Sequence, residues 1–99
     1  MLRNNYHDAT LLDAQLDWAT GGTKLRLRLC ARDPTVATLR FDGVSDFSWP
    51  RRFPWGKSNS VNDVRCPIDG SIEIEMQSGD VIRILASEYD ESTTPDRGE

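Results

Sequence analysis

The chain has 99 residues, of which 37% are hydrophobic and 28% charged, and its formal net charge is −4. This length suits one domain with a modest core and excludes a two-lobed enzyme with a deep interdomain cleft. The composition is typical of a globular protein, and no apolar run approaches the roughly 20 residues that a membrane-spanning helix needs.

Two alternating stretches near the amino terminus predict a β-hairpin. Residues 10–18 and 23–30 alternate between apolar and polar side chains, and Ala-Thr-Gly-Gly at 19–22 lies between them. Since a slip of one residue moves every side chain to the opposite face, a match on both faces predicts the register. The predicted pairs are Leu12–Leu29, Ala14–Leu27 and Leu16–Leu25 on the apolar face, and Asp13–Arg28, Gln15–Arg26 and Asp17–Lys24 on the polar face.

The middle of the chain predicts further strands separated by turn residues. Residues 36–41 form one predicted strand, Asp42-Gly43 indicates a bend, and residues 44–49 form another strand that ends at Pro50. Residues 61–64 fit either a short strand or a turn of helix. No segment keeps the 3.6-residue period of an amphipathic helix, so little helix is expected.

Residues 71–86 predict a second hairpin, whose three-residue loop places Gly79 in the left-handed conformation. The returning strand, residues 81–86, is apolar on both faces. Such a strand is typically central or covered by a second layer, and a homodimer interface is the alternative. The predicted pairs are Ile74–Ile82, Ile72–Ile84 and Glu73–Arg83.

Acidic residues concentrate at the carboxyl end. Residues 87–99 hold five acids and one base, whereas residues 1–86 hold eleven of each. Because this end has no apolar pattern to bury, it is predicted to be a disordered tail. The predicted organisation is therefore one antiparallel all-β domain over residues 1–86, with about six or seven strands in a half-open barrel or sandwich, followed by the acidic tail.

The sequence contains few residues of the types that form catalytic or metal sites. The amino terminus lacks the apolar centre of a signal peptide, so we expect a cytoplasmic protein in which Cys30 and Cys66 are reduced thiols. One His and two scattered Cys make a poor metal ligand set, and no metal or cofactor is predicted. His7 and Asp8 adjoin, but neighbours on an extended strand point to opposite faces, so no catalytic pair and no enzyme activity are expected.

Residues 49–57 combine three aromatic and three basic side chains without an acid. Stacking faces with positive charge are typical of single-stranded nucleic acid binders, while Trp and Arg are also enriched in protein-binding hot spots. The alternative is that the aromatic rings plug one end of the domain and the charged groups reach solvent. The candidate binding residues are Trp49, Arg51, Arg52, Phe53, Trp55 and Lys57.

Three stretches resemble a family of small bacterial all-β proteins that carries no established activity. They are Tyr6-His7-Asp8-Ala9, Pro54-Trp55-Gly56-Lys57-Ser58 and Glu75-Met76-Gln77-Ser78-Gly79-Asp80-Val81, and the resemblance covers most of residues 6–86. Some small β proteins of this appearance are similar to immunity proteins of bacterial toxin systems, which bind and block a toxin. We therefore expect a non-enzymatic interaction module of immunity type that binds a protein partner, a toxin or a second copy, through residues 49–57 or an exposed strand edge, and that binds no membrane. An oligonucleotide-binding module that uses residues 49–57 is the alternative.

Overall fold

The computed structural model describes residues 2, 4–30, 35–50, 60–66 and 71–95. Within them it contains eight strands in two four-stranded antiparallel sheets, ordered β1-β2-β3-β8 and β4-β7-β6-β5. The predicted all-β fold is confirmed, with eight strands in place of six or seven, and nowhere in the described ranges is there a helix fit to cross a membrane. The strands are Thr10–Leu16 (β1), Thr23–Leu29 (β2), Thr35–Asp42 (β3), Asp46–Ser48 (β4), Val61–Arg65 (β5), Ser71–Met76 (β6), Val81–Leu85 (β7) and Glu88–Pro95 (β8).

One hydrophobic core lies between the two sheets. Alternation along β2, β3, β6 and β7 places every second side chain in it, as expected for strands with one buried face. Because both sheets contribute to the same cluster, neither has a core of its own. The buried residues are Leu25, Leu27, Ala37, Leu39 and Phe41 from the first sheet, Val61, Ile72, Ile74, Ile82 and Ile84 from the second, and Tyr6, Ala9 and Leu11.

Backbone hydrogen bonds join the two sheets at two places. The Asp8 N–H donates to the Val61 carbonyl at 2.8 Å, and the Val61 N–H donates to the Ala9 carbonyl at 2.7 Å. Where the chain passes from β7 to β8, the Ser87 N–H donates to the Asp42 carbonyl at 3.1 Å. The result is a sandwich joined at its corners, within the predicted half-open barrel or sandwich class.

The register of the first hairpin differs from the prediction by two residues. Asp13 lies opposite Arg26 and Leu16 opposite Thr23, so the predicted partners Arg28 and Leu25 are wrong. From Asp13 to Leu16, this shift of two residues leaves each side chain on its predicted face. The facial pattern therefore does not distinguish the two registers, and the loop decides between them.

The loop spans residues 18–21 and not 19–22. The Asp17 N–H donates to the Gly22 carbonyl and the Gly21 N–H to the Asp17 carbonyl, both at 2.8 Å. Asp17 Oδ1 also accepts the backbone N–H groups of two loop residues, at 3.0 and 3.3 Å, as in an Asx turn. Gly21 takes the left-handed φ of 73°. Because Gly21 and Gly22 are adjacent, the sequence offers a glycine to either loop, and Asp17 selects this one.

A β-bulge in β1 changes which leucine is buried. The register shifts between Leu11 and Asp13, so Leu12 is the additional residue and Leu11 lies opposite Leu27. Leu11 is buried, whereas Leu12 is only half-buried. The predicted Leu12–Leu29 pair is therefore wrong, because the alternation that predicted it is interrupted at the bulge.

The second hairpin has the predicted register. Its loop closes through a 2.8 Å hydrogen bond from the Met76 N–H to the Asp80 carbonyl, and Gly79 has a left-handed φ of 101°. β7 lies between β4 and β6, so the strand that is apolar on both faces is central, as predicted. The confirmed pairs are Ile74–Ile82, Ile72–Ile84 and Glu73–Arg83.

Residues 88–95 form strand β8 and are not part of a disordered tail. β8 pairs with β3 through eight consecutive residues, and the Tyr89 ring lies 6.4 Å from that of Phe41. The prediction is wrong over this range because an edge strand is held mainly by its backbone ladder, for which an apolar alternation is not required. The last four residues, 96–99, lie outside the described residues.

The two edge strands of the second sheet have limits that the sequence did not determine. Residues 61–64 belong to strand β5, which excludes the turn of helix. The strand predicted over residues 44–49 is shorter, with β4 limited to Asp46–Ser48. Its first residue is used elsewhere, because the Val44 N–H donates to the Gly21 carbonyl of the first hairpin loop at 3.3 Å.

Candidate functional site

Of the six candidate binding residues, the structure describes one. Trp49 follows β4 and is 44% exposed, and its ring meets that of Phe47 edge-on with centroids 6.0 Å apart. The assignment of the others to a binding site stays a prediction, since these residues lie outside the described ranges: Arg51, Arg52, Phe53, Trp55 and Lys57.

A groove with mainly apolar walls lies next to Phe47, between the first hairpin loop and the β3–β4 connection. Its cavity volume is about 410 Å³. It spans both sheets, because Leu16 ends β1 of the first sheet while Phe47 belongs to β4 of the second. We call it the aromatic groove, and the described residues that line it are Leu16, Trp18, Gly21, Val44, Ser45, Asp46 and Phe47.

Backbone contacts hold the two walls of the aromatic groove together. The 3.3 Å hydrogen bond from Val44 to Gly21 ties the β3–β4 connection to the hairpin loop. The Asx turn of Asp17 fixes the loop itself. A methyl group built on Gly21 would lie 3.6 Å from the Val44 carbonyl oxygen, so the two segments are in ordinary van der Waals contact here. The groove is thus preformed by the fold.

Large apolar side chains at the groove are open to solvent. Trp18 is 89% exposed and Leu16 is 47% exposed. Both side chains line the same groove, and adjoining exposed apolar residues are more typical of an interaction site than scattered single ones. Among the described lining residues the only charged side chain is that of Asp46.

Sequence analysis missed Trp18 as a candidate site residue. The alternation over residues 10–18 predicts that Trp18 is the last position of a strand, with its side chain against the sheet. The corrected loop begins at Trp18, and its indole is presented on a turn. The signal in the sequence was a large aromatic residue directly before Ala-Thr-Gly-Gly.

His7 and Asp8 lie in a turn before β1 and not on an extended strand. Asp8 has a left-handed φ of 64°, and His7 Nε2 lies 3.7 Å from Asp8 Oδ2, so the expected orientation to opposite faces is wrong. His7 Nδ1 donates to the Asn62 carbonyl at 2.8 Å, and Gln77 Nε2 donates to Asp8 Oδ1 at 2.5 Å. Both side chains therefore tie the amino-terminal turn to β5 and to the second hairpin loop.

A second polar cluster lies at the inner face of β8. The Tyr6 hydroxyl donates to the Glu91 carboxylate, and Asn4 Nδ2 donates to the same oxygen at 2.9 Å. Burial, followed by the hydrogen bond to Glu91, raises the pKa of Tyr6 above its usual value. Burial and the neighbouring Cys66 thiol raise the pKa of Tyr89. A phenol with its usual pKa of about 10 is already protonated at neutral pH, so the raised pKa of Tyr6 extends its role as donor to Glu91 further into the alkaline range.

The two cysteines are exposed free thiols at different places in the fold. Cys30 follows β2 and Cys66 follows β5. In the ranges that the structure describes, His, Cys, Asp and Glu side chains form no group of three or more that suits a metal ion.

The outer face of the first sheet carries charges of both signs. Arg26 Nε lies 3.0 and 2.9 Å from the two carboxylate oxygens of Asp13. Arg40 on β3 lies opposite Asp90 on β8. A nucleic-acid-binding face is instead expected to be uniformly basic, so this face does not favour the oligonucleotide alternative.

No known protein family, curated protein or solved structure matches the chain. The family resemblance and the similarity to immunity proteins therefore stay predictions. Two of the three stretches that carry the resemblance, residues 6–9 and 75–81, meet where Gln77 binds Asp8.

Proposed function

We propose that this chain is a non-enzymatic protein-interaction module, a bacterial cytosolic protein of immunity type that binds and blocks a toxin. The observation that supports the proposal best is the aromatic groove, where a nearly fully exposed Trp18 stands beside Leu16 in a preformed cleft. An exposed tryptophan held by a fixed loop adds little to folding. It is the kind of anchor that dominates protein interfaces, because it buries a large area on binding at a small cost in conformational entropy.

The groove also indicates the chemistry of the partner. Its described walls are apolar apart from Ser45 and Asp46, so the surface that fits is an apolar side chain with a base placed beside Asp46. The base would pair with the Asp46 carboxylate at the rim of the groove. Complementary charges at a rim select the partner and orient it.

The test uses the protein encoded by the gene next to this reading frame, which for an immunity protein is its toxin. We expect the two purified proteins to form a complex and the wild-type chain to restore growth when both are produced together. Trp18→Ala should weaken the complex by about 30-fold or more, equivalent to about 2 kcal/mol. Its melting temperature should equal that of the wild type, because the indole is exposed.

Gln15→Ala is the matched control, since Gln15 is an exposed side chain of β1 outside the groove. It should leave both affinity and stability unchanged. An absence of binding to the neighbouring gene product, or an unchanged affinity of the Trp18→Ala protein, contradicts the proposal.

The salt dependence of binding distinguishes the oligonucleotide alternative. Phosphate contacts weaken steeply as salt rises, because binding releases counterions, whereas an apolar groove contact weakens little. We expect no binding of a single-stranded oligonucleotide at physiological salt. Tight binding with a steep salt slope would instead assign residues 49–57 to nucleic acid.

A further inference from the structure

The four edge strands of the two sheets are protected from pairing in different ways. β1 carries a bulge between Leu11 and Asp13, and β5 carries one between Val61 and Asp63. β4 has only three residues. Bulges and short lengths are devices that prevent an edge from accepting another strand.

β8 has neither of these protections. It pairs with β3 through eight consecutive residues without a bulge. In the order of the first sheet β8 is the last strand, and in the described part of the chain no strand pairs with its outer side. Up to Pro95, which lacks a backbone N–H, its backbone is therefore a regular template for one more strand.

Negative charge protects the edge of β8 from pairing with another strand. It carries Glu88, Asp90 and Glu91 and contains no base. Glu91 accepts hydrogen bonds from Tyr6 and Asn4 at the inner face. Glu88 and Asp90 lie two positions apart on the other face, and both are exposed.

The cross-strand neighbours increase the negative charge at the start of β8. Asp42 of β3 lies directly opposite Glu88, and like charges in this position are unfavourable. Arg40 lies opposite Asp90 and offsets part of the charge. A base placed beside Glu88 would relieve its repulsion with Asp42.

We propose that the outer edge of β8 accepts an extended segment of a basic partner protein, which adds to the first sheet as a fifth strand. Lys or Arg at alternate positions of that segment lie beside Glu88 and Asp90. Charge also excludes a second copy of this chain as the occupant, since two β8 edges would bring their carboxylates together. This proposal does not depend on the aromatic groove, which lies at β1, β4 and their loops.

The experiment uses the full chain and a blocked nine-residue peptide of alternating Thr and Lys as the probe. We expect saturable binding by titration calorimetry, together with slower hydrogen exchange at alternate amides of residues 88–95. Slower exchange at these amides distinguishes strand addition from a loose charge contact. The same peptide with Glu in place of Lys should not bind.

The double variant Glu88→Gln/Asp90→Asn should weaken peptide binding at least tenfold. Both changes keep the side-chain shape at exposed positions, so the fold is retained, and circular dichroism checks this. Asp63→Asn, which removes an exposed acid of β5 outside the aromatic groove, is the control and should leave the affinity unchanged. Equal binding to the double variant, protection at another edge, or no binding at millimolar peptide would overturn the proposal.

The proposal for the aromatic groove and the proposal for the edge of β8 can each be contradicted without the other. Loss of toxin binding in Trp18→Ala with intact peptide binding supports both surfaces as independent sites. Peptide binding that disappears in Trp18→Ala would place the basic segment in the aromatic groove and contradict the assignment to β8.

Discussion

The ion pair between Asp13 and Arg26 reports the register of the first hairpin. Arg26 Nε lies 3.0 and 2.9 Å from the two carboxylate oxygens, and this hydrogen bonding lowers the pKa of Asp13. We expect a double-mutant cycle of Asp13→Ala with Arg26→Ala to give a favourable coupling in denaturant unfolding. The matched cycle with Arg28→Ala should be additive, because Arg28 lies opposite Thr10. Coupling to Arg28 alone would support the register predicted from sequence.

The same ion pair has a defined pH dependence. Since the pKa of Asp13 is lowered in the folded state, its contribution to stability is fully present above the unfolded value of about 4. The contribution is lost as the pH falls through the folded value. The difference in melting temperature between wild type and Asp13→Asn should be constant from pH 7 to 5 and should disappear in stronger acid. It should be small and decrease with added salt, because the pair is largely exposed.

The Tyr6 hydroxyl contributes to stability through the Glu91 carboxylate. Tyr6 is 3% exposed, and removal of its hydroxyl leaves Glu91 without one of its donors. We expect Tyr6→Phe to lower the free energy of unfolding by about 1 to 3 kcal/mol at pH 7. Tyr89→Phe is the comparison, and because its ring is 37% exposed its effect should be smaller.

Alkaline pH should remove the stabilisation that the Tyr6 hydroxyl provides. Its pKa is raised in the folded state, so the contribution is fully present below the unfolded value of about 10 and is lost as the pH rises above it. The difference between wild type and Tyr6→Phe should therefore be constant from pH 7 to 9 and should shrink above pH 10. A difference that persists unchanged at pH 11 would argue against the buried donor.

Strand β8 makes the carboxyl end essential to the fold. Deletion of residues 90–99 removes six of the eight pairs between β3 and β8. At roughly 0.5 kcal/mol a pair, this costs about 3 kcal/mol and lowers the melting temperature by about 12 to 24 °C. Thermal unfolding by circular dichroism measures the loss. A truncated protein as stable as the full chain would support the disordered tail predicted from sequence.

The two hairpins explain which features of strands the sequence predicts. In the second hairpin, one glycine occupies the one loop position that needs it, so turn and facial pattern agree on the register. In the first, Gly21 and Gly22 permit two loops that keep the same faces, and the choice depends on the hydrogen bonds of Asp17. Such three-dimensional contacts leave no periodic signal.

A related reason explains why the sequence predicted neither β8 nor the aromatic groove. An edge strand needs a partner backbone more than an apolar pattern, and β3 supplies it only once the sheet exists. The groove joins Leu16 of β1 to Phe47 of β4, which are distant in sequence and meet because the Gly21 loop reaches Val44. Among the described residues, Trp49, whose ring contacts that of Phe47 beside the groove, is the one that the sequence predicted as a binding residue.

The shared core makes the whole molecule unfold as one unit. Leu39 of the first sheet and Ile74 of the second are both fully buried in the same cluster. Replacement of either by Ala removes apolar contacts from both layers and should cost about 2 to 5 kcal/mol. That is a large fraction of the roughly 5 to 15 kcal/mol typical of a domain.

Hydrogen exchange measures this cooperativity directly. In the Leu39→Ala protein, the slowest amides of β6 should exchange faster by the same factor as those of β2, because both are exposed only by global unfolding. For a cost of about 3 kcal/mol, that factor is about 150. The exposed Gln15→Ala variant should leave both rates unchanged. Faster exchange confined to the first sheet would mean that each sheet opens alone, which a core built from both sheets does not allow.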